Sequence, residues 1–295
     1  MIFMGPYHPS HLNAWLWCAK QLSIEGFERV DDPNPRWSTQ FGTIIHEAIE
    51  HWHNGKGVLL DLFRKSLADH TTRYHLEQKP DDVSMATEAL AQYAKDFHAQ
   101  CNAENSVVSV RTEVKCRTTI LNSAGREIKF EGTIDQIRRL NDGTIQVVDL
   151  KTGKVADGFD YEGLRRSYQL WTYSHAIARG EVFIDGVWQR LVSLPEAMIL
   201  HFRKFQPYKR NSQYGLKGEP RKGRVSQVWI TEEGLDSFEK RALQIVRALR
   251  FDIFPPNPSK CSLCSVTAKC SLSMGLELNQ NETLGALEGI PGIQT

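Results

Sequence analysis

The chain has 295 residues, 41% of them hydrophobic and 24% charged, a balance typical of folded globular proteins that argues against extensive disorder. Its formal net charge of +1 excludes a globally basic nucleic-acid-binding protein, so any such surface must come from local clustering. No apolar run approaches the roughly 18 residues of a membrane span, and the start MIFMGPYHPS lacks the basic region and apolar core of a signal peptide, so a cytoplasmic setting without membrane contact is expected.

The first element, HPSHLNAWLWCAKQL, reads as an amphipathic helix carrying Leu12, Trp15, Leu16 and Cys18. After the proline break DDPNPRW, the stretch STQFGTIIHEAIEHW sets Phe41, Ile44, Ile45, Ala48, Ile49 and Trp52 on one helical stripe, with His46 at its edge. Helical patterns continue through LLDLFRKSLADH and MATEALAQYAKDFHAQ. The character then changes to three alternating runs, VVSVRTEVKCRTTIL, REIKFEGTIDQIRRL and GTIQVVDLK, separated by the turn signals NSAG and NDG. They predict an antiparallel meander.

GLRRSYQLWTYSHAIARG predicts a helix closed by Gly180, on which Gln169 and Tyr173 stand at i and i+4 and share a face. Strand-like text follows in EVFIDGVWQRLVSL and EAMILHFRKF. A turn-rich segment from Arg203 to Arg224 is dense in Lys and Arg, including Lys209, Arg210, Arg221 and Lys222, and is interleaved with Tyr208 and Tyr214. Such text fits phosphate contact and base stacking; a merely solvated loop is the plainer reading. VSQVWI and the helix TEEGLDSFEKRALQIVRALR lead to a proline-rich break and then to CSLCSVTAKC. The expected organisation is a single α/β domain over residues 1–273, with residues 1–105 mainly helical, 106–205 holding the sheet and the Gln169 helix, and 206–273 the basic loop, last helix and cysteines; residues 274–295 read as a flexible tail.

Alternation places Asp149 and Lys151 on one strand face, roughly 6 to 7 Å apart, while Val148 and Leu150 face the other way. An acid and an amine so placed suit a divalent metal held beside a water or phosphate oxygen, which makes phosphodiester hydrolysis the leading expectation. Taken alone, an Asp-x-Lys is a weak signal, better explained by a solvated strand face. Asp135, in GTIDQI on the neighbouring strand, strengthens the first reading, because carboxylates at the ends of buried strands need partners. Glu113, between Arg111 and Lys115, fits equally a further acid of the site or a solvated strand face.

Cys261, Cys264 and Cys270 form C-x2-C-x5-C, one thiolate short of a four-ligand site, and Cys18 is the candidate for the fourth. Four thiolates can hold either an iron-sulfur cluster or zinc. Cys101 and Cys116 read as buried apolar thiols.

In this order His46 in GTIIHEAIE, Asp135 in GTIDQI, Asp149 and Lys151 in VVDLKTG, and Gln169 and Tyr173 in YQLWTY resemble the PD-(D/E)xK nuclease superfamily. Within it, the chain is similar to RecB-like nucleases with the Q-x3-Y motif. Cys18 and the C-terminal cysteines resemble the iron-sulfur subset, which includes AddB-type nuclease domains and the CRISPR-adaptation exonucleases. The resemblance implies a restriction-endonuclease-like core, a mixed sheet flanked by helices, with an N-terminal helical region and a C-terminal cysteine lobe. It implies Mg²⁺ or Mn²⁺ held by His46, Asp135, Asp149 and the carbonyl of Leu150, with Lys151 acting on the attacking water and the phosphate. It implies DNA contacts at Gln169 and Tyr173, and an iron-sulfur cluster of the 4Fe-4S type on Cys18, Cys261, Cys264 and Cys270, with zinc as the alternative. The expected activity is exonucleolytic hydrolysis at free or single-stranded DNA ends in recombination, repair or DNA processing, in a bacterial cell or a phage-infected host. The competing expectation is a catalytically idle DNA-binding or assembly protein of the same fold. The sequence has no G-x4-G-K-[S/T] phosphate loop, so a helicase or other recombination motor would be a partner rather than part of this polypeptide.

Overall fold

The computed structural model describes residues 5–25, 35–104, 106–152, 167–201 and 225–251, together with positions 253 and 270. The basic residues Lys209, Arg210, Arg221 and Lys222, the cysteines Cys261 and Cys264, and the expected tail lie outside the described residues.

Four helices come first: α1 (Pro9–Glu25), α2 (Trp37–His53), α3 (Leu59–Tyr74) and α4 (Pro80–Cys101). Then come β1 (Val107–Leu121), β2 (Glu127–Leu140), β3 (Ile145–Lys151), α5 (Tyr168–Arg179), β4 (Glu181–Ile184), β5 (Val187–Gln189), β6 (Glu196–His201), β7 (Val225–Trp229) and α6 (Glu232–Arg250). The helix starts follow local chemistry. Pro80 opens α4, where its missing N–H costs nothing, and Asp81 and Asp82 meet the positive end of the dipole. Ser167 and Thr231 cap α5 and α6 by accepting from the backbone N–H of Leu170 and Gly234. Cys18 interrupts α1 with extended torsions, φ −162° and ψ 103°, a break that the continuous apolar text around it does not signal.

The strands form one seven-stranded sheet in the order β5-β4-β1-β2-β3-β6-β7. Strands β1, β2 and β3 make the expected antiparallel meander. β3 and β6 run parallel, Gln146 opposite Glu196 and Lys151 opposite His201, so the connection between them must cross over; it carries α5 and the β4–β5 hairpin. The sheet is therefore mixed and flanked by helices, the restriction-endonuclease-like arrangement expected. β3 is an interior strand, and every residue in it except Lys151 is buried.

Core side chains divide by sheet face. Val148, Leu150 and Met198 pack under α2, α3 and α4, whereas Ile145, Val147, Ala197 and Ile199 pack against Leu170, Tyr173 and Ile177 of α5. A third cluster joins Leu12 and Leu22 of α1 to Phe130 of β2 and Phe238 and Ile245 of α6. The stripe read on α2 is the buried one, with Trp37 added and Trp52 only partly covered. The segment at Tyr7 lies along β2: its N–H donates to the Lys129 carbonyl at 2.8 Å and its carbonyl accepts from the Glu131 N–H at 2.9 Å. Cys116 is buried, which pushes its thiol up to about 12; Cys101 is only half-buried. No helix among the described residues is long and apolar enough to cross a membrane.

Candidate active site

The site grows out of an irregularity in the β1–β2 pair. Thr112 lies opposite Gln136 and Val114 opposite Ile134, with Glu113 and Asp135 between them. Glu113 takes φ +48°, a left-handed conformation that a non-glycine residue holds at a cost of about 1–3 kcal/mol. In β2, Ile134 and Ile137 both enter the core under α5, while Gln136 donates to the Tyr93 hydroxyl of α4 and Asp135 faces His46 of α2. Two successive residues therefore look to the same side, which simple alternation forbids. The break lets Glu113 and Asp135 meet under α2.

His46 completes this half. Its Nε2 lies 3.0 Å from the Leu150 carbonyl oxygen; a carbonyl only accepts, so Nε2 carries the proton and Nδ1 turns to the acids. Nδ1 is 3.7 Å from Glu113 and 3.8 Å from Asp135. Ligand atoms of these three residues all lie within 4.8 Å of one another. The Leu150 N–H donates to Asp135 Oδ2 at 2.6 Å, so one peptide unit orients both residues. Burial lowers the affinity of His46 for a proton, but the facing Glu113, Asp135 and Asp149 outweigh it and raise the pKa. Burial, and then the negative charge of Asp149, push Asp135 up to about 7 against the pull of His46, the Leu150 N–H and Lys151. The crowding of acids around one imidazole is what a bound cation would relieve.

The other half lies along β3 and α5. Lys151 Nζ donates to Asp149 Oδ1 at 2.9 Å and to Gln169 Oε1 at 2.8 Å, and Gln169 Nε2 donates to the Tyr173 hydroxyl at 3.1 Å. Asp149 is completely buried. Its Oδ2 lies 2.8 Å from the same ammonium, but the alignment is not that of a hydrogen bond, and this oxygen has no hydrogen-bond partner among the described residues. The ammonium thus meets Oδ2 as a charge rather than as an aligned donor. A buried carboxylate oxygen without a donor is costly in isolation and suits a cation. Burial raises the Tyr173 phenol above its ordinary range, so it is neutral at physiological pH.

Two glycines permit these approaches. A Cβ on Gly132 would sit 2.9 Å from a Tyr173 ring carbon, and one on Gly42 would sit 2.9 Å from Thr152 Oγ1; both distances are shorter than packed atoms tolerate. The two halves open into one cleft of about 1620 Å³, lined among others by His46, Glu113, Asp135, Asp149, Lys151 and Gln169. A smaller depression of about 840 Å³ lies at the α3–α4 connection, bounded by Trp37, Tyr74 and Lys79, away from this set.

His46, Asp135, Asp149, Leu150, Lys151, Gln169 and Tyr173 are thus brought together. Cys18 and Cys270 are both buried. The sequence alone does not decide Glu113, because a carboxylate between Arg111 and Lys115 reads equally as a solvated strand position and no local signal marks the left-handed turn of its backbone.

Residues 8–271 match the family model of the PD-(D/E)XK nuclease superfamily. No curated protein matches the sequence. Among solved structures, one described as "Crystal structure of SSO0001" aligns over 89% of this chain and 97% of its own, with 13% identity and a TM-score of 0.38.

Proposed function

The chain belongs to the PD-(D/E)XK nuclease superfamily, and from that premise we propose that it is a metal-dependent deoxyribonuclease that hydrolyses phosphodiester bonds at DNA ends. The observation that carries this reading is the convergence of His46, Glu113 and Asp135 beside the buried carboxylate of Asp149, whose Oδ2 accepts no hydrogen bond among the described residues. Three carboxylates and an imidazole are a donor set for a hard divalent cation, Mg²⁺ with Mn²⁺ as a good substitute. His46 Nδ1, Glu113, Asp135 and Asp149 would hold it, while the Leu150 carbonyl, accepting from Nε2 on the other side of the ring, orients the imidazole. Such an ion polarises a phosphoryl oxygen and lowers the pKa of bound water.

The remaining chemistry belongs to the chain. Lys151 supplies a fixed positive charge where negative charge grows on the phosphate. Its Nζ is held from two sides, by Asp149 and by Gln169, and the Tyr173 hydroxyl steadies that amide in turn. Gln169 and Tyr173 also reproduce the Q-x3-Y spacing, which supports a RecB-like assignment. The segment containing Lys209, Arg210, Arg221 and Lys222 supplies the concentrated positive charge that a protein of net charge +1 needs to hold DNA. A cluster on Cys18, Cys261, Cys264 and Cys270, iron-sulfur rather than zinc, would tie the first helix to the C-terminal cysteines and shape a passage for a DNA end. Residues 1–273 would then act as one nuclease domain, serving DNA processing, recombination or repair, with a helicase-type motor as partner.

The test is digestion of end-labelled single- and double-stranded linear DNA beside a closed circle, by anaerobically purified protein in Mn²⁺, Mg²⁺ or EDTA, with Asp149→Ala as control. Metal-dependent loss of linear DNA that spares the circle, and is absent in the variant, is the expected result. Cleavage of the circle would replace exonuclease by endonuclease. No cleavage by folded protein would turn the reading to an idle DNA-binding protein. Iron and acid-labile sulfide content, set against zinc content, tests the cluster.

A further inference from the structure

Beyond Glu113 and Asp135, one face of the β1–β2 hairpin is exposed among the described residues. Exposed side chains alternate down both strands there, Lys115, Arg117 and Thr119 on β1 and Thr133, Glu131 and Lys129 on β2. At the sheet edge this face ends in the β4–β5 hairpin, where Phe183 lies opposite Trp188. Their rings are 5.3 Å apart, and both remain more than a third exposed. The Arg117 guanidinium lies over the Trp188 indole, 4.2 Å from the ring centre, and is anchored in turn by Glu181 at 2.7 Å. Arg117 thus backs one face of the indole. Trp188 also lines the same cleft as His46, Asp135 and Lys151.

An exposed tryptophan, propped by a paired arginine and open to a cleft with a nuclease's residues at its centre, is costly to leave in water and suited to one occupant. We propose that Trp188 is a base-stacking platform that leads a DNA strand with unpaired bases into the cleft, with Lys115 meeting its phosphates. This deepens the nuclease reading and rests on it, since it names the strand that the site receives. Stacking needs a π-face that a duplex keeps inside its own helix, so the platform favours single strands over paired DNA. Lys115 also lines the cleft, two residues along the strand from Glu113, about 7 Å. It has no ion-pair partner within 4.0 Å among the described residues, whereas Arg117 is already paired with Glu181. Lys115 is the cation left for phosphate, and Arg117 holds the ring.

The test is equilibrium binding of the intact protein in EDTA to a single-stranded oligonucleotide, to the same strand carrying abasic sites, and to a blunt duplex. Trp188→Ala should weaken the single strand about tenfold, the scale of one lost base–aromatic stack, leave duplex affinity within about twofold, and be largely restored by Trp188→Phe. Wild-type protein should lose about as much affinity on the abasic strand, a measurement that does not depend on any variant folding. Equal binding of the intact and abasic strands, or parallel weakening of single strand and duplex in Trp188→Ala, would overturn the platform. Metal-dependent cleavage by the wild type is scored separately. Selective loss of single-strand binding without any cleavage leaves the platform standing and removes the nuclease; cleavage with Trp188 irrelevant does the reverse.

Discussion

The Nε2 of His46 donates to the carbonyl of Leu150 at 3.0 Å, and the N–H of that same residue donates to Asp135 at 2.6 Å. One residue of β3 thus sets the direction of an imidazole from α2 and of a carboxylate from β2. Removing the imidazole should therefore remove a ligand atom while leaving the acids in place. His46→Ala is expected to bind Mn²⁺ at least about tenfold to a hundredfold more weakly, the range found when even an outer partner of a metal site is lost. Isothermal titration of the folded variant with Mn²⁺ measures it; an unchanged affinity would remove His46 from the ligand set.

Lys151 and Asp149 should separate cleanly. Asp149→Ala should lose metal and activity together. Lys151→Ala should keep its metal affinity but cleave about 10²- to 10³-fold more slowly, as expected for one electrostatic stabiliser. It also strands a fully buried carboxylate, which in EDTA should lower the melting temperature, and added Mn²⁺ should recover part of that loss. Equal loss of metal affinity in both variants would contradict these roles.

Glu113 offers a trade between stability and binding. Its φ of +48° is one that glycine adopts freely, and left-handed geometry costs other residues about 1–2 kcal/mol. Glu113→Gly should be more stable than Glu113→Ala by about 1 kcal/mol in urea unfolding, while both bind Mn²⁺ more weakly than the wild type. If Glu113→Ala proved as stable as Glu113→Gly, the backbone at this position would not be strained.

Acid should destabilise the protein through His53. Burial, and then the positive charge of nearby Arg138, lower its pKa to about 3, while its Nε2 lies 2.7 Å from the Tyr93 hydroxyl. The folded pKa lies below the unfolded value near 6.5, so on acidification the unfolded chain takes up the proton first. The stability associated with neutral His53 is complete above about pH 6.5 and is lost as pH falls from there toward 3. Unfolding free energies measured across that window should fall less steeply in His53→Gln than in the wild type.

Much of this architecture was legible because burial follows period. The alternating run at residues 107–121 became β1 over the same span, and the 3.6-residue stripe of α2 became its buried face. His46, Asp135, Asp149, Lys151 and Gln169 were singled out from text and share one cleft. What escaped depends on tertiary context. Glu113 enters the site only because its backbone leaves the strand conformation, and Cys18 breaks α1 where its neighbours remain helical. Arg138 is buried and bonded to Gln136, Gln100 and Tyr93, with no carboxylate within 4.0 Å among the described residues. Periodicity reports which face is covered. It does not report which polar groups another helix can satisfy there.

The strand-like contact of Tyr7 has a consequence for the molecule's solubility. β3 pairs with β2 only from Gln136 to Arg139, so along Lys129 to Glu131 the partner of β2 on that side is the peptide around Tyr7. Without residues 5–8, the N–H and carbonyl groups there would face outward as an unpaired edge, the template on which a second molecule can add a strand. That short peptide is thus a guard against self-association, and an N-terminal truncation that removes it should produce a protein prone to aggregate.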